Sequence, residues 1–185
     1  MVATAPMKLM TIEDLLELPG DVRRELIEGR LVEMSPTQES HVMVTSRLAR
    51  ALGRYFDANP DRGDVWVGSG GYVVVRGPDT VTEPDLCIVS PDQAAGRSGR
   101  GKGYMPFAPM IPVEVKSPND TEPEIAKKLG LYLAAGVAEV WWARPVQGTV
   151  VIYHPDGMIE LFREDDALRS DALPGFEVAV AHLFA

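Results

Sequence analysis

Two short stretches carry residue types that can do chemistry together. In "IPVEVKSPND", residues 111–120, Glu114 and Lys116 stand two apart in an apolar run that stops at a Ser-Pro turn. In a strand that spacing puts both side chains on one face, while Val113 and Val115 point to the other. In "EPDLCIVSP", residues 83–91, Asp85 follows Pro84, a residue that a strand tolerates at its start. If the two strands pair, Asp85 presents its carboxylate beside Glu114, and a lysine joins two carboxylates. Carboxylate oxygens are what a hard cation such as Mg²⁺ takes, one or two from protein with water or phosphate completing the shell. A lysine beside them stabilises charge on a phosphate or helps activate a water. The set suits metal-assisted phosphodiester hydrolysis. The plain alternative is a Glu114–Lys116 ion pair at a sheet rim. Apolar flanks, the preceding Pro-Asp and a capped helix directly after the Ser-Pro turn weigh against it.

Several elements must position these groups. "TIEDLLELPG" reads as a short helix, with Thr11 and Asp14 in a capping pattern and Pro19-Gly20 as its stop. "RRELIEGRLVEMSP" reads as a hairpin about Glu28-Gly29, ended by Ser35-Pro36. From Ser40 to about Asp57, Val44, Leu48, Leu52 and Phe56 recur at helical spacing before the Asn59-Pro60 break. Four β-prone runs follow, "DVWV", "YVVVR", "DLCIVS" and "IPVEVKSP", and predict a sheet in the middle of the chain. Between the last two lies "DQAAGRSGRGKGYMPFAP", glycine-rich, basic and without periodicity, which predicts a surface loop. "TEPEIAKKLGLYLAAG" predicts a helix with Thr121 and Glu124 in a capping pattern and Gly136 at its end. "VAEVWWARP" then reads as a strand, with one tryptophan of Trp141-Trp142 facing the core. "GTVVIYHPDGMIELFRED" reads as a hairpin turning at Pro155, Asp156 and Gly157.

Taken together, "EPDLCIVSP" and "IPVEVKSPND" resemble the PD-(D/E)xK nuclease superfamily. Ser40-His41, "ELIEGRLVEMSP", "KKLGLYLAAGVAEVWW" and "LPGFEVAVAHLF" extend the resemblance to the Uma-type family of restriction endonucleases over most of the chain. Length and composition predict a single domain over residues 1–185, and the resemblance implies that it is of α/β (α+β) class. Its restriction-endonuclease-like core, about residues 40–143, has a mixed central β-sheet flanked by helices, in the order helix, three strands, helix, strand, with an N-terminal and a C-terminal hairpin added. It implies a Mg²⁺ or Mn²⁺ site at Asp85, Glu114 and Val115, a catalytic Lys116, and DNA as substrate. Glu25, with Glu39 behind it, is the candidate for a third acidic residue, and His41 matches a family position. Lys128 is a second candidate lysine. Helical spacing sets it on a face with Tyr132 and Glu124, and a solvated pairing with Glu124 is its alternative reading.

Further basic groups could meet a phosphate backbone. Arg47, Arg50 and Arg54 form a stripe on the long helix, favoured as a solvated face, and Arg97, Arg100 and Lys102 in the loop stand near Tyr104 and Phe107. A net charge of −9 opposes sequence-blind binding to polyanions, so any contact with nucleic acid is local or helped by a metal. "GRSGRGKG" lacks the Ser or Thr of a P-loop, and "GSGG" lacks dinucleotide-binding spacing. His41, His154 and His182 are too scattered for a zinc site, and no nucleophile elbow occurs. Cys87 has no partner in the chain and suits a buried apolar position and a reducing compartment. No run approaches a membrane span, and a cytoplasmic location is expected. A homodimer would let two sites cut two strands. The reading from another class is a non-catalytic module of nuclease-like fold that binds nucleic acid or protein as a dimer.

Overall fold

The computed structural model describes residues 8–19, 22–34, 36–68, 70–95 and 103–185. Helix α1 (Ile12–Leu16) opens on the expected reciprocal cap between Thr11 and Asp14. Strands β1 (Arg24–Ile27) and β2 (Arg30–Glu33) form the first hairpin. Its turn residues Glu28 and Gly29 both have positive φ, 52° and 73°, the pattern that lets a two-residue turn match strand twist. Helix α2 (Glu39–Ala58) buries Val44, Leu48, Leu52 and Phe56, the stripe its spacing predicts.

The middle of the chain divides between two sheets rather than forming one. Strands β3 (Asp64–Val67), β6 (Leu86–Val89), β7 (Ile111–Val115), β8 (Val140–Arg144), β9 (Thr149–Tyr153) and β10 (Ile159–Phe162) make a central sheet in the order β10-β9-β8-β7-β6-β3. The β7–β8 pair is parallel and the others are antiparallel, so the sheet is mixed. Strands β4 (Tyr72–Val75) and β5 (Thr80–Thr82) leave it and join the first hairpin in the order β2-β1-β5-β4. Pro84, between β5 and β6, has no N–H to continue a ladder, which separates the two sheets at that point. Strand β5 is not expected from the sequence, because its three residues, in the four between Gly77-Pro78-Asp79 and Pro84, carry too little pattern.

The expected loop after β6 begins with a short helix, α3 (Pro91–Ala94), capped reciprocally by Ser90 and Gln93. Arg97, Arg100 and Lys102 lie outside the described residues. Tyr104 and Phe107 pack on the small sheet: Tyr104 joins the cluster around Leu26 and Val81, and the Phe107 ring lies edge-on to Tyr72 at 6.2 Å.

Alternation along the central strands builds a different core on each face. Leu86, Ile88, Ile111, Val113, Val115, Trp141, Ala143, Val150 and Ile152 pack with α2. On the other face, Val140 and Trp142 pack with Ile125 and Tyr132 of α4 (Glu122–Ala134), the crossover between the parallel strands. Strands β11 (Ala167–Arg169) and β12 (Glu177–Ala179) and helix α5 (Ala181–Phe184) close the α2 side with Leu168, Leu173, Phe176, Val180 and Leu183. Arg47 is drawn into this closure through its bond to Leu183 O at 3.2 Å, whereas Arg50 and Arg54 are exposed. Cys87 is buried between the strands, as expected.

Candidate active site

Side chains from β1, β7, α2, α4 and the residue just before β6 converge on one cleft. Leu86 pairs with Val113 across β6 and β7, so the next step of the antiparallel register brings Asp85 to Glu114. Asp85 Oδ2 accepts a hydrogen bond from the Val115 amide at 2.8 Å and lies 3.1 Å from His41 Nε2 in the first turn of α2. Glu114 Oε1 accepts from Tyr132 Oη at 2.7 Å and lies 2.9 Å from Lys128 Nζ. Lys128 also donates to Glu25 Oε1 at 2.7 Å, and the same oxygen accepts from the Glu83 amide. Asp85, Glu114, Glu25, Lys128 and His41 thus stand together on a cleft of about 350 Å³, with Val115 also at its wall. The cleft lies between the small sheet, the C-terminal end of β7 and the first turns of α4.

The local causes are simple. Glu25 and Leu26 are both buried because β1 is covered on both faces: Leu26 packs with Ile12 and Leu15, and Glu25 turns to the cleft. Lys128 and Tyr132, four apart on α4, both reach Glu114. The solvated reading of Lys128 is therefore overturned, and Glu124 instead caps α4 through Thr121. Glu39 is exposed in the first turn of α2, away from the cluster.

Lys116 does not join the carboxylates. Strand β7 ends at Val115, and beyond it the Lys116 side chain turns to Glu122 in the first turn of α4. Neither the expected convergence of Lys116 with the carboxylates nor its alternative, a Glu114–Lys116 ion pair, is formed. The lysine of the cluster is Lys128.

Burial and charge tune the groups in opposite directions. Burial pushes the Glu114 carboxyl up to about 7 against the pull of Lys128, and Asp85 and Glu25 add to the rise. Burial disfavours the Lys128 ammonium, yet Glu114 and Glu25 together outweigh it and hold the proton more firmly than in water. His41 follows the same logic: burial opposes its charge, and Asp85, with Glu114 and Asp120, overcomes it and raises the imidazole.

Could such a set hold a cation? No hydrogen bond among the described residues reaches Asp85 Oδ1 or Glu114 Oε2, so each carboxylate keeps one oxygen for a ligand. Among the described residues, no three His, Cys, Asp or Glu side chains group closely enough to cage an ion alone. The donor set fits a hard cation that takes a minority of its ligands from protein and the remainder from water and phosphate. With its amide given to Asp85, Val115 could contribute only its carbonyl oxygen.

His41, at the family position, pairs with Asp85, and the partnership of Tyr132 with Glu114 was not expected from the sequence. The i, i+4 relation of Lys128 and Tyr132 was a usable signal for the latter. Glu83, buried and 3.2 Å from Arg23 Nε, carried none, because its partner lies in a hairpin far away in sequence.

Comparison with known proteins agrees with this architecture. No curated protein matches the chain. Among solved structures, a "putative nuclease belonging to DUF820" from Anabaena variabilis ATCC 29413 superposes with a TM-score of 0.79 at 19% identity, covering 95% of this chain and 97% of that one. The likeness shows a shared fold. The family model Uma2, described as "Putative restriction endonuclease", matches residues 12–181. The chain belongs to the Uma2 family of putative restriction endonucleases.

Proposed function

We propose that the protein is a divalent-metal-dependent endonuclease that hydrolyses phosphodiester bonds in DNA. The observation that carries the reading is the buried meeting of Asp85, Glu114 and Lys128 at one cleft, with a carboxylate oxygen of each acid left for a ligand. Asp85 and Glu114 would hold Mg²⁺ or Mn²⁺, with the Val115 carbonyl beside them. A cation there supplies charge neutralisation at the scissile phosphate and lowers the pKa of its water. His41 and the Val115 amide fix the Asp85 rotamer, and Tyr132 fixes Glu114. Lys128, held by Glu25 and Glu114, keeps a positive charge in a desolvated site where negative charge builds on the phosphate. Lys116, expected to do this, is turned to the rim. DNA as the polymer and a C₂ dimer that cuts both strands rest on family likeness and symmetry alone.

Nicking of supercoiled plasmid with Mg²⁺, Mn²⁺ or EDTA tests the proposal. Wild type should cut only with metal, and Glu114→Gln and Lys128→Ala should lose a factor on the order of 10² or more in rate. Both variants should keep a cooperative melt. Wild type that cuts no better than Glu114→Gln on supercoiled, linear and single-stranded DNA would sink the nuclease. Binding that is indifferent to metal would then make the chain a non-catalytic module.

A further inference from the structure

Carrying the β7–β8 register one residue past Val115 and Ala143 sets Lys116 beside Arg144, on the face that bears Glu114 and Trp142. Both cations close on one carboxylate. Lys116 Nζ bonds Glu122 Oε1, and Arg144 Nη2 lies 3.5 Å from Glu122 Oε2. The cations are mostly covered, with side chains 18% and 22% exposed, whereas Glu122 is 61% exposed. Arg144 is poorly served in this arrangement. Its bond to Tyr153 Oη is long, 3.4 Å, and its Nε is buried with no hydrogen-bond partner among the described residues. A guanidinium with a long, imperfect set of bonds and one unpaired nitrogen, next to an ammonium, is suited to a tetrahedral oxyanion more than to one loosely held carboxylate.

The place of the pair matters as much as its chemistry. Ser117, Glu124 and Trp142, close along the chain to Lys116, Glu122 and Arg144, all line the cleft. Lys116 stands two residues beyond Glu114, about 6.6 Å along a strand. That is comparable with the step between neighbouring phosphates of one nucleic-acid strand. The hydrogen bond from Lys116, with the charge of Arg144, holds Glu122 below the usual carboxylate range, so it is an anion at neutral pH.

Resting on the nuclease reading, we infer that Lys116 and Arg144 form a subsite for the backbone phosphate next to the scissile one, and that Glu122 occupies it until the nucleic acid displaces it. Sequence-blind affinity is then confined to the cleft rim and masked in the free protein, which suits a chain of net charge −9.

Fluorescence anisotropy of labelled single- and double-stranded oligonucleotides in EDTA, over a series of salt concentrations, tests this. Lys116→Ala and Arg144→Ala should each weaken binding about tenfold for every sequence tried and lower the salt slope by about 1. Lys116→Arg should bind as wild type. Glu122→Gln should bind several-fold tighter, because the stand-in anion is gone. The subsite is overturned if the two alanine variants bind like wild type with an unchanged slope. It is equally overturned if Glu122→Gln leaves binding unchanged or weakens it, since Glu122 would then be a strut. Wild type that neither binds nor cuts any of these nucleic acids overturns the subsite and the nuclease together. Metal-dependent cutting by wild type with any of the other failures removes the subsite alone.

Discussion

Glu114 accepts from Tyr132 and is ion-paired with Lys128 in the cleft, and its environment fixes a pH dependence. Its folded value, about 7, lies above the ordinary 4.5, so between those values the folded chain holds a proton that the unfolded chain has released. Stability therefore falls as pH rises through that window, by an amount on the order of a few kcal/mol. His41 acts in the same sense. Its value is raised from 6.5, so the stability from its pairing with Asp85 is complete below 6.5 and lost as pH rises through the folded value. The carboxyls of Asp14, Glu122 and Glu124 are shifted down instead and act below the window. In EDTA, the melting temperature should drop by several degrees between about pH 5 and pH 8. Glu114→Gln and His41→Asn should each flatten the fall. A melting temperature that climbs over this range, or a Glu114→Gln protein with the wild-type slope, would show that the cluster is not wired this way.

At the scale of elements, the register between β6 and β7 is what brings Asp85 to Glu114, and β3 backs β6 from its far side. Gly63 directly precedes that backing strand. Its φ is 123°, and a Cβ there would stand 2.1 Å from Val89 O, a backbone atom that cannot move aside. Gly63→Ala should cost at least about 2 kcal/mol and lower cutting as well. Gly148, at φ 60° in open space, is the control, and Gly148→Ala should cost about 1 kcal/mol. Equal losses of melting temperature would mean that β3 is not clamped to β6. These elements also mark what the sequence could disclose. The α2 stripe, the α4 cap and the alternation of Val113, Glu114 and Val115 are local patterns, and each was legible. Sheet membership depends on distant partners, so the departure of β4 and β5 was hidden. The choice between the two lysines was hidden for a related reason. Alternation correctly puts Lys116 on the face of Glu114, but β7 ends one residue earlier, and only the fold shows that Glu122 captures the side chain. Lys128 needs α4 to lie over the small sheet before it can reach Glu25.

For the whole molecule, the decisive feature is that the last stretch of chain completes the principal core. Leu168, Leu173, Phe176, Val180 and Leu183 pack against Leu48, Leu52, Tyr55 and Phe56 of α2 and against Trp141. Glu139, only 1% exposed, ties this stretch to the sheet by accepting from Trp141 Nε1 at 2.7 Å, Ser170 Oγ at 2.8 Å and the Ala172 amide at 3.1 Å. Residues 40–143 alone leave the principal core and the cleft incomplete. The α2 face needs the C-terminal segment, and the cleft needs Glu25 from β1. A chain ending at residue 163 should lose its cooperative melt and near-ultraviolet circular dichroism while keeping much of its helical signal, because large apolar side chains of α2 would face water. Glu139→Leu should show the same tendency more mildly, at about 3 kcal/mol, since it strands one buried hydroxyl and two N–H donors at once. If the truncated chain melts as sharply as the full one and still cuts DNA, the C-terminal segment is an accessory to the fold rather than part of it.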